Sequence, residues 1–141
     1  MTLRNYLAAI LLACLLAAAS GAHHSATQYD NAKRVTLTGT FTGIDWRNPH
    51  IEFTLEVKGD SGQSEIWLVE TVPPNRLVSR NITKSDFQKA VGQSVTLVIS
   101  PTRDGSRYGI LRKITFADGN VVDCGDLGVS SNCKRVPRAQ E

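Results

Sequence analysis

From Arg34 onward, apolar and polar residues alternate with a period of two. Between Arg34 and Trp46, Val35, Leu37 and Phe41 share one parity, and Thr36, Thr38, Thr40 and Thr42 the other. β-Branched side chains at alternate positions suit a pleated strand. Gly39 and Gly43 fall inside this run, and glycines within a strand mark a bulge or sharp bend. The first strand is therefore expected to be long, bent and able to serve both sides of a small barrel. Arg47-Asn48-Pro49 ends it. Ile51 to Val57 is the clearest half-buried strand, with Ile51, Phe53, Leu55 and Val57 alternating against Glu52, Thr54 and Glu56. Lys58 to Gln63, with two glycines and Asp60, predicts a hairpin loop. Ser64 to Glu70 predicts a third strand with Ile66, Trp67 and Leu68.

The period changes after Pro73-Pro74. Pro74 to Arg80 predicts one helical turn with Leu77 and Val78 inward. Thr83 followed by Asp86 is a capping-box pattern, so a short helix is expected to open there and to end near Ala90-Val91-Gly92. Period two returns in Ser94 to Ser100. Asp104-Gly105, within a turn from Thr102 to Arg107, is a hairpin signal. Tyr108 to Phe116 is then a fifth strand, Asp118-Gly119 turns the chain, and Val121-Val122 adds a short sixth. The tail from Lys134 is polar and expected to be loose. Three strands, a small helical segment and two more strands describe an all-β fold with one short helix, a five-stranded OB-like Greek-key barrel. An immunoglobulin sandwich would show about seven strands and no helix.

Met1 to Ala22 follows a different pattern. Arg4 is a short positive start, and Leu7 to Ala19 is an unbroken apolar run, short for a bilayer span. Ser20-Gly21-Ala22 then supplies the small residues of a cleavage site after Ala22. This segment reads as a signal peptide, giving a periplasmic or secreted protein with no stable membrane insertion after cleavage. An uncleaved anchor is one alternative. Lipidation at Cys14 is another, because Leu11-Leu12-Ala13-Cys14 loosely resembles a lipobox, but the apolar run continues past Cys14, where a lipoprotein would turn polar.

The expected cut changes what composition means. The chain has 141 residues, with 16 Lys+Arg against 13 Asp+Glu. Removing residues 1–22 takes Arg4 alone from the charged set, leaving 119 residues with 15 basic against 13 acidic, a net +2. That is one domain's worth, which excludes a multidomain enzyme, a large α/β barrel or a repeat array. So small an excess makes no case for nucleic acid. The expected plan is a leader over 1–22, an N-terminal segment over 23–33, the barrel over 34–122 and a tail over 123–141. Cys124 and Cys133 remain as an even pair, which in an exported chain suggests a disulfide. Two free thiols or a metal pair are the alternatives, and no Cys-x-x-Cys spacing points to redox work.

The three histidines are His23, His24 and His50. Cleavage after Ala22 would start the protein at His23-His24-Ser25, where the free amine and an imidazole form a chelate. A third nitrogen from His50 would complete a set suited to copper, the tightest binder of the divalent first-row series. A cut after Gly21 would place His23 and His24 behind Ala22, again a chelating start. The competing reading is a solvated N-terminus and a turn histidine bonded to backbone. Trp46, Asn48, Trp67 and Glu70 are weaker candidates for touching a ligand. Glu70 is a cap or a residue supporting ligands from behind. Trp46, Phe53 and Trp67 would form either a stacking face for bases or sugars or simply barrel core. Arg103, Arg107, Arg112 and Lys113 read as a solvated rim around the last hairpin rather than a phosphate site. No catalytic triad, His-Glu-x-x-His, phosphate loop or nucleotide fingerprint is present.

Ala22-His23-His24-Ser25, Val35 to Thr40, Trp46-Arg47-Asn48-Pro49-His50, Trp67 to Glu70 with Pro74-Asn75-Arg76-Leu77 and Arg80, and Asp104-Gly105-Ser106 together resemble a family of small exported bacterial proteins, domain-of-unknown-function family 6152. The resemblance spans roughly Ala22 to Gly119 and implies export and a single β-rich domain, with no established activity. Asn81-Ile82-Thr83 stands where the family pattern has Gly-Trp-Thr, so no aromatic role carries over there. The Cys124–Cys133 extension is outside the pattern. Three expectations follow. The first is a non-enzymatic barrel binding a small ligand, foremost a copper-class ion at His23, His24 and His50. The second is an envelope module that holds a protein or glycan without metal. The third is a histidine-brace copper enzyme.

Overall fold

The computed structural model describes residues 26–125 and 133–136; His23, His24 and Cys14 lie outside them. A 3-10 turn at Ala26–Gln28 leads to β1 (Val35–Asp45), β2 (Glu52–Lys58) and β3 (Ser64–Glu70). Two short helices follow, α1 (Pro74–Val78) and α2 (Lys84–Gln88), and then β4 (Ser94–Pro101), β5 (Tyr108–Thr115), β6 (Val121–Asp123) and β7 (Lys134–Val136).

The strand order is β3-β2-β1-β4-β5-β6-β7. β5 also returns to β3 in parallel, Leu68 to Glu70 lying opposite Tyr108 to Ile110. That pairing closes the first five strands into an OB-type Greek-key barrel. The length of β1 makes closure possible, because its first half pairs with β4 and its second half with β2. At the crossover an added Cβ on Gly39 would lie 2.2 Å from the Glu56 carbonyl oxygen, so only glycine fits. The register slips between Phe41 and Gly43, the bulge expected of these glycines.

Leu37, Phe41, Phe53, Leu55, Val69, Leu97, Ile99 and Ile114 form the core. α2 plugs it with Phe87, whose ring lies 4.9 Å from Phe53, 5.7 Å from Phe116 and 5.8 Å from Trp46. Burial of such a side chain contributes roughly 1.5–3 kcal/mol. The helix start is fixed as its sequence suggests: the Asp86 carboxylate accepts from the Thr83 amide at 2.7 Å and hydroxyl at 3.0 Å.

Three expectations need correction: an inward Val78, a solvated Arg112 and a loose segment from Lys134. Val78 is 52% exposed, because α1 has one turn and lands only Leu77 on the barrel. Phe53 is fully buried, with Trp46 and Trp67 packed against the core, so of the two readings of these aromatics the barrel-core one holds. Arg112 is only 2% exposed and is no part of a rim: it donates to Ser100 and to Asn31 beneath the segment leading into β1. Lys134–Val136 is not loose but forms β7 against β6. The Cys124–Cys133 disulfide brings that strand alongside, and Arg135 fastens it by donating to the Asn81 carbonyl at 2.9 Å and to Asp86 at 2.5 Å.

Candidate functional site

The site begins with alternation. In β2 and β3, Phe53 and Val69 face the core, which sends Glu52 and Glu70 to the outer wall. The register sets these two carboxylates directly opposite each other. An outer-wall glutamate would normally be solvated, but Glu70 is only 7% exposed. β5 closes beside it and brings Tyr108, and the segment before β1 brings Tyr29. That segment is pinned by hydrogen bonds from Asp30 N to the Pro101 carbonyl, 2.8 Å, and from Arg103 N to the Gln28 carbonyl, 2.9 Å. The Tyr29 and Tyr108 rings stack at 6.4 Å.

The Tyr108 hydroxyl lies 3.1 Å from Glu70 Oε2 and 3.2 Å from Glu52 Oε2. It carries one hydrogen and can serve only one acceptor at a time. Tyr29 is 3% exposed and its buried hydroxyl has no hydrogen-bond partner; it faces Glu70 without reaching bonding geometry. Burial first, and the Glu70 charge second, push both phenols above their ordinary range, so both stay protonated at neutral pH.

His50 reaches this cluster from the β1–β2 turn. Its neighbour Ile51 is held by a hydrogen bond from the Thr71 amide to the Ile51 carbonyl, 2.8 Å, which ties the turn to the end of β3. The His50 Nδ1 lies 3.5 Å from Glu70 Oε2, with the side chain 42% exposed. Asn48, His50, Glu52, Glu70 and Tyr108 line one open cleft of about 290 Å³. Asp45 and Arg47 at its mouth pair with each other at 2.7 Å, an exposed contact of little energetic weight.

Of the residues singled out in the sequence, His50, Asn48 and Glu70 therefore meet. Trp46 packs on Phe87 instead, and Trp67 lines a separate cleft with Lys33, Val35 and Arg103. Arg107 pairs with Glu65 at 2.7 Å. Glu52, Tyr29 and Tyr108 were not anticipated. Their meeting depends on the β2–β3 register, the parallel β3–β5 closure and the path of the N-terminal segment, and no local pattern announces any of these. Among the described residues, no three His, Cys, Asp or Glu side chains are grouped to hold a metal ion by themselves.

The sequence model of one family, described as a family of unknown function (DUF6152), matches residues 10–112. The chain belongs to DUF6152. The segments that carried the resemblance, Trp46 to His50 and Trp67 to Glu70, both end at this cleft. No curated protein matches the chain. Among solved structures it is similar to the mitochondrial single-stranded DNA binding protein Rim1 of S. cerevisiae, with 8% identity and a TM-score of 0.44 over 60% of this chain and 93% of that one.

Proposed function

We propose that this member of DUF6152 is an exported barrel that binds a copper-class metal ion in the cleft beside His50, with His23 and His24 supplying further nitrogens after cleavage at Ala22. The observation that carries the reading is the His50–Glu70 pair, 3.5 Å apart at the edge of an open cleft. An imidazole held against a carboxylate is the usual setting of a metal-binding histidine. The segment that would deliver His23 and His24 comes to the same carboxylate, since Tyr29 faces Glu70. Four residues lie between His24 and Tyr29, and the five steps of chain span at most ~17 Å at full extension. Export is supported by the buried Cys124–Cys133 disulfide, which persists in oxidising compartments. Among the described residues, no helix is long and apolar enough to cross a membrane.

Isothermal titration of Cu(II) into protein starting at His23, and into the same protein with His23, His24 and His50 replaced by alanine, tests the reading. Binding is expected in the first and lost in the second. Equal affinity in both would overturn it.

A further inference from the structure

We infer that the open edge of β3 over residues 64–67 is a docking site for an extended acidic segment of another protein, which adds to the sheet as a strand. The edge lies at the end of β3 away from Glu70 and is independent of the metal reading.

The strand pairings define the edge. β3 runs its whole length against β2, from Ser64 opposite Lys58 to Glu70 opposite Glu52, but meets β5 only from Leu68 to Glu70. The Leu68 amide donates to the Arg107 carbonyl at 3.0 Å, so the N–H and C=O of Leu68 point away from β2. Peptide groups two residues apart in a strand point the same way, which turns those of Ser64 and Ile66 to that side as well. Among the described residues no strand meets them there. Such a row is a template for a further strand, and natural edges are usually blunted by charge, proline or a bulge. Here the one charge, Glu65, is tied to Arg107 at 2.7 Å, an exposed contact of little weight that an incoming strand can displace. Ile66 stands 51% exposed in the middle of the stretch.

The cleft beside the edge sets the partner's chemistry. About 260 Å³ lies between Trp67 and the β4–β5 turn. Val35 and Pro101 supply apolar wall, and Lys33 and Arg103 supply two exposed cations. Neither cation pairs with a carboxylate among the described residues, and Arg103 Nε is held by the Thr27 carbonyl at 3.2 Å. Asp30 is the one carboxylate in the lining, and its Oδ1 already accepts from the Ala32 amide at 3.2 Å. Side chains of an added strand alternate between its two faces, so every second one points to the side of Trp67. An acidic residue there meets the two cations. Main-chain pairing then supplies affinity and the cleft supplies selectivity, which favours a peptide over a sugar polyanion.

The test follows titration and amide hydrogen exchange of protein starting at His23. The probe is a short synthetic peptide alternating valine and glutamate. It is compared with its lysine analogue, with a copy methylated on its backbone nitrogens and with a glucuronate oligosaccharide. The glutamate peptide is expected to slow exchange at the Ile66 amide and to bind about tenfold or more tighter than the lysine peptide, the gap narrowing at high salt. The methylated copy, which cannot pair, is expected not to bind. Lys33→Glu with Arg103→Gln should cancel the preference for glutamate, and Ile66→Pro, which removes the outward N–H, should abolish binding. If circular dichroism shows Ile66→Pro unfolded, the methylated peptide makes the same test with the protein intact. Equal affinity for the glutamate and lysine peptides overturns the acidic partner. The proposal also fails if protection appears at β7 instead of Ile66, if the sugar binds where the peptide does not, or if self-association protects Ile66 without peptide.

Discussion

Two faces of the same strand pair have opposite chemistry. Phe53 and Glu52 are neighbours in β2, and Val69 and Glu70 are neighbours in β3. The inward pair meets Phe41, Leu55 and Phe87 in a packed apolar interior. The outward pair sets two carboxylates side by side, and β5 and the N-terminal segment cover them with two phenols. The first face is an ordinary core, in which every group is satisfied by contact alone. The second is only partly buried, at Glu70 and Tyr29, yet it holds one hydroxyl without a partner and another with two acceptors. Burial on the inside stabilises the fold, while partial burial on the outside sets carboxylates against hydroxyls that cannot satisfy all of them.

The largest way to break this contrast is to damage the core. Phe53→Ala is expected to cost about 3–5 kcal/mol in urea unfolding, against a far smaller change for Glu52→Gln across the wall. A comparable loss from both substitutions would show that the outer face is as important to stability as the inner.

Removing the staple comes next. Opening the nine-residue Cys124–Cys133 separation with Cys124→Ser is expected to cost about 2.5 kcal/mol on the chain-entropy model. Hydrogen exchange should show β7 released while β1 to β5 stay protected. Loss of protection throughout the barrel would mean that the annex is part of its core.

Tyr29→Phe sharpens the comparison from the polar side. Deleting a buried hydroxyl with no partner should leave the metal-free protein as stable or up to about 1 kcal/mol more so, and a clear loss would show that the hydroxyl does find a partner. The pH dependence follows from the same pair. Both phenols hold their protons in the fold beyond pH ~10, where free tyrosine ionises, so the unfolded chain releases them first. Their contribution is complete below about pH 10 and falls as pH rises further. Replacing both tyrosines by phenylalanine should flatten the alkaline limb of a stability–pH curve.

The smallest effect belongs to the exposed Arg107–Glu65 pair. Arg107→Ala should change stability by less than about 1 kcal/mol, measured by thermal melting in low and high salt. A larger, salt-independent loss would count the hairpin among the elements that hold the barrel closed.

Much of this was legible along the chain because periodicity is a local property. The parity of Val35, Leu37 and Phe41, the bending glycines and the Thr83–Asp86 cap all rest on residues a few positions apart. His50 and Glu70 stood out by residue type and position, but that they face each other did not. The misreadings share one cause. Val78 was apolar and Arg112 and Lys134 polar, and type alone does not say what lies on the other side of a wall.

Sequence by itself determined the strands, the short helical insert, the barrel class and the even cysteine pair, since each is written in spacing. Tertiary structure alone decided that Glu52 and Glu70 share a rung, that Tyr108 closes beside them, and that Tyr29 folds back over the result. Those contacts join residues tens of positions apart, and their geometry is fixed only when the barrel closes.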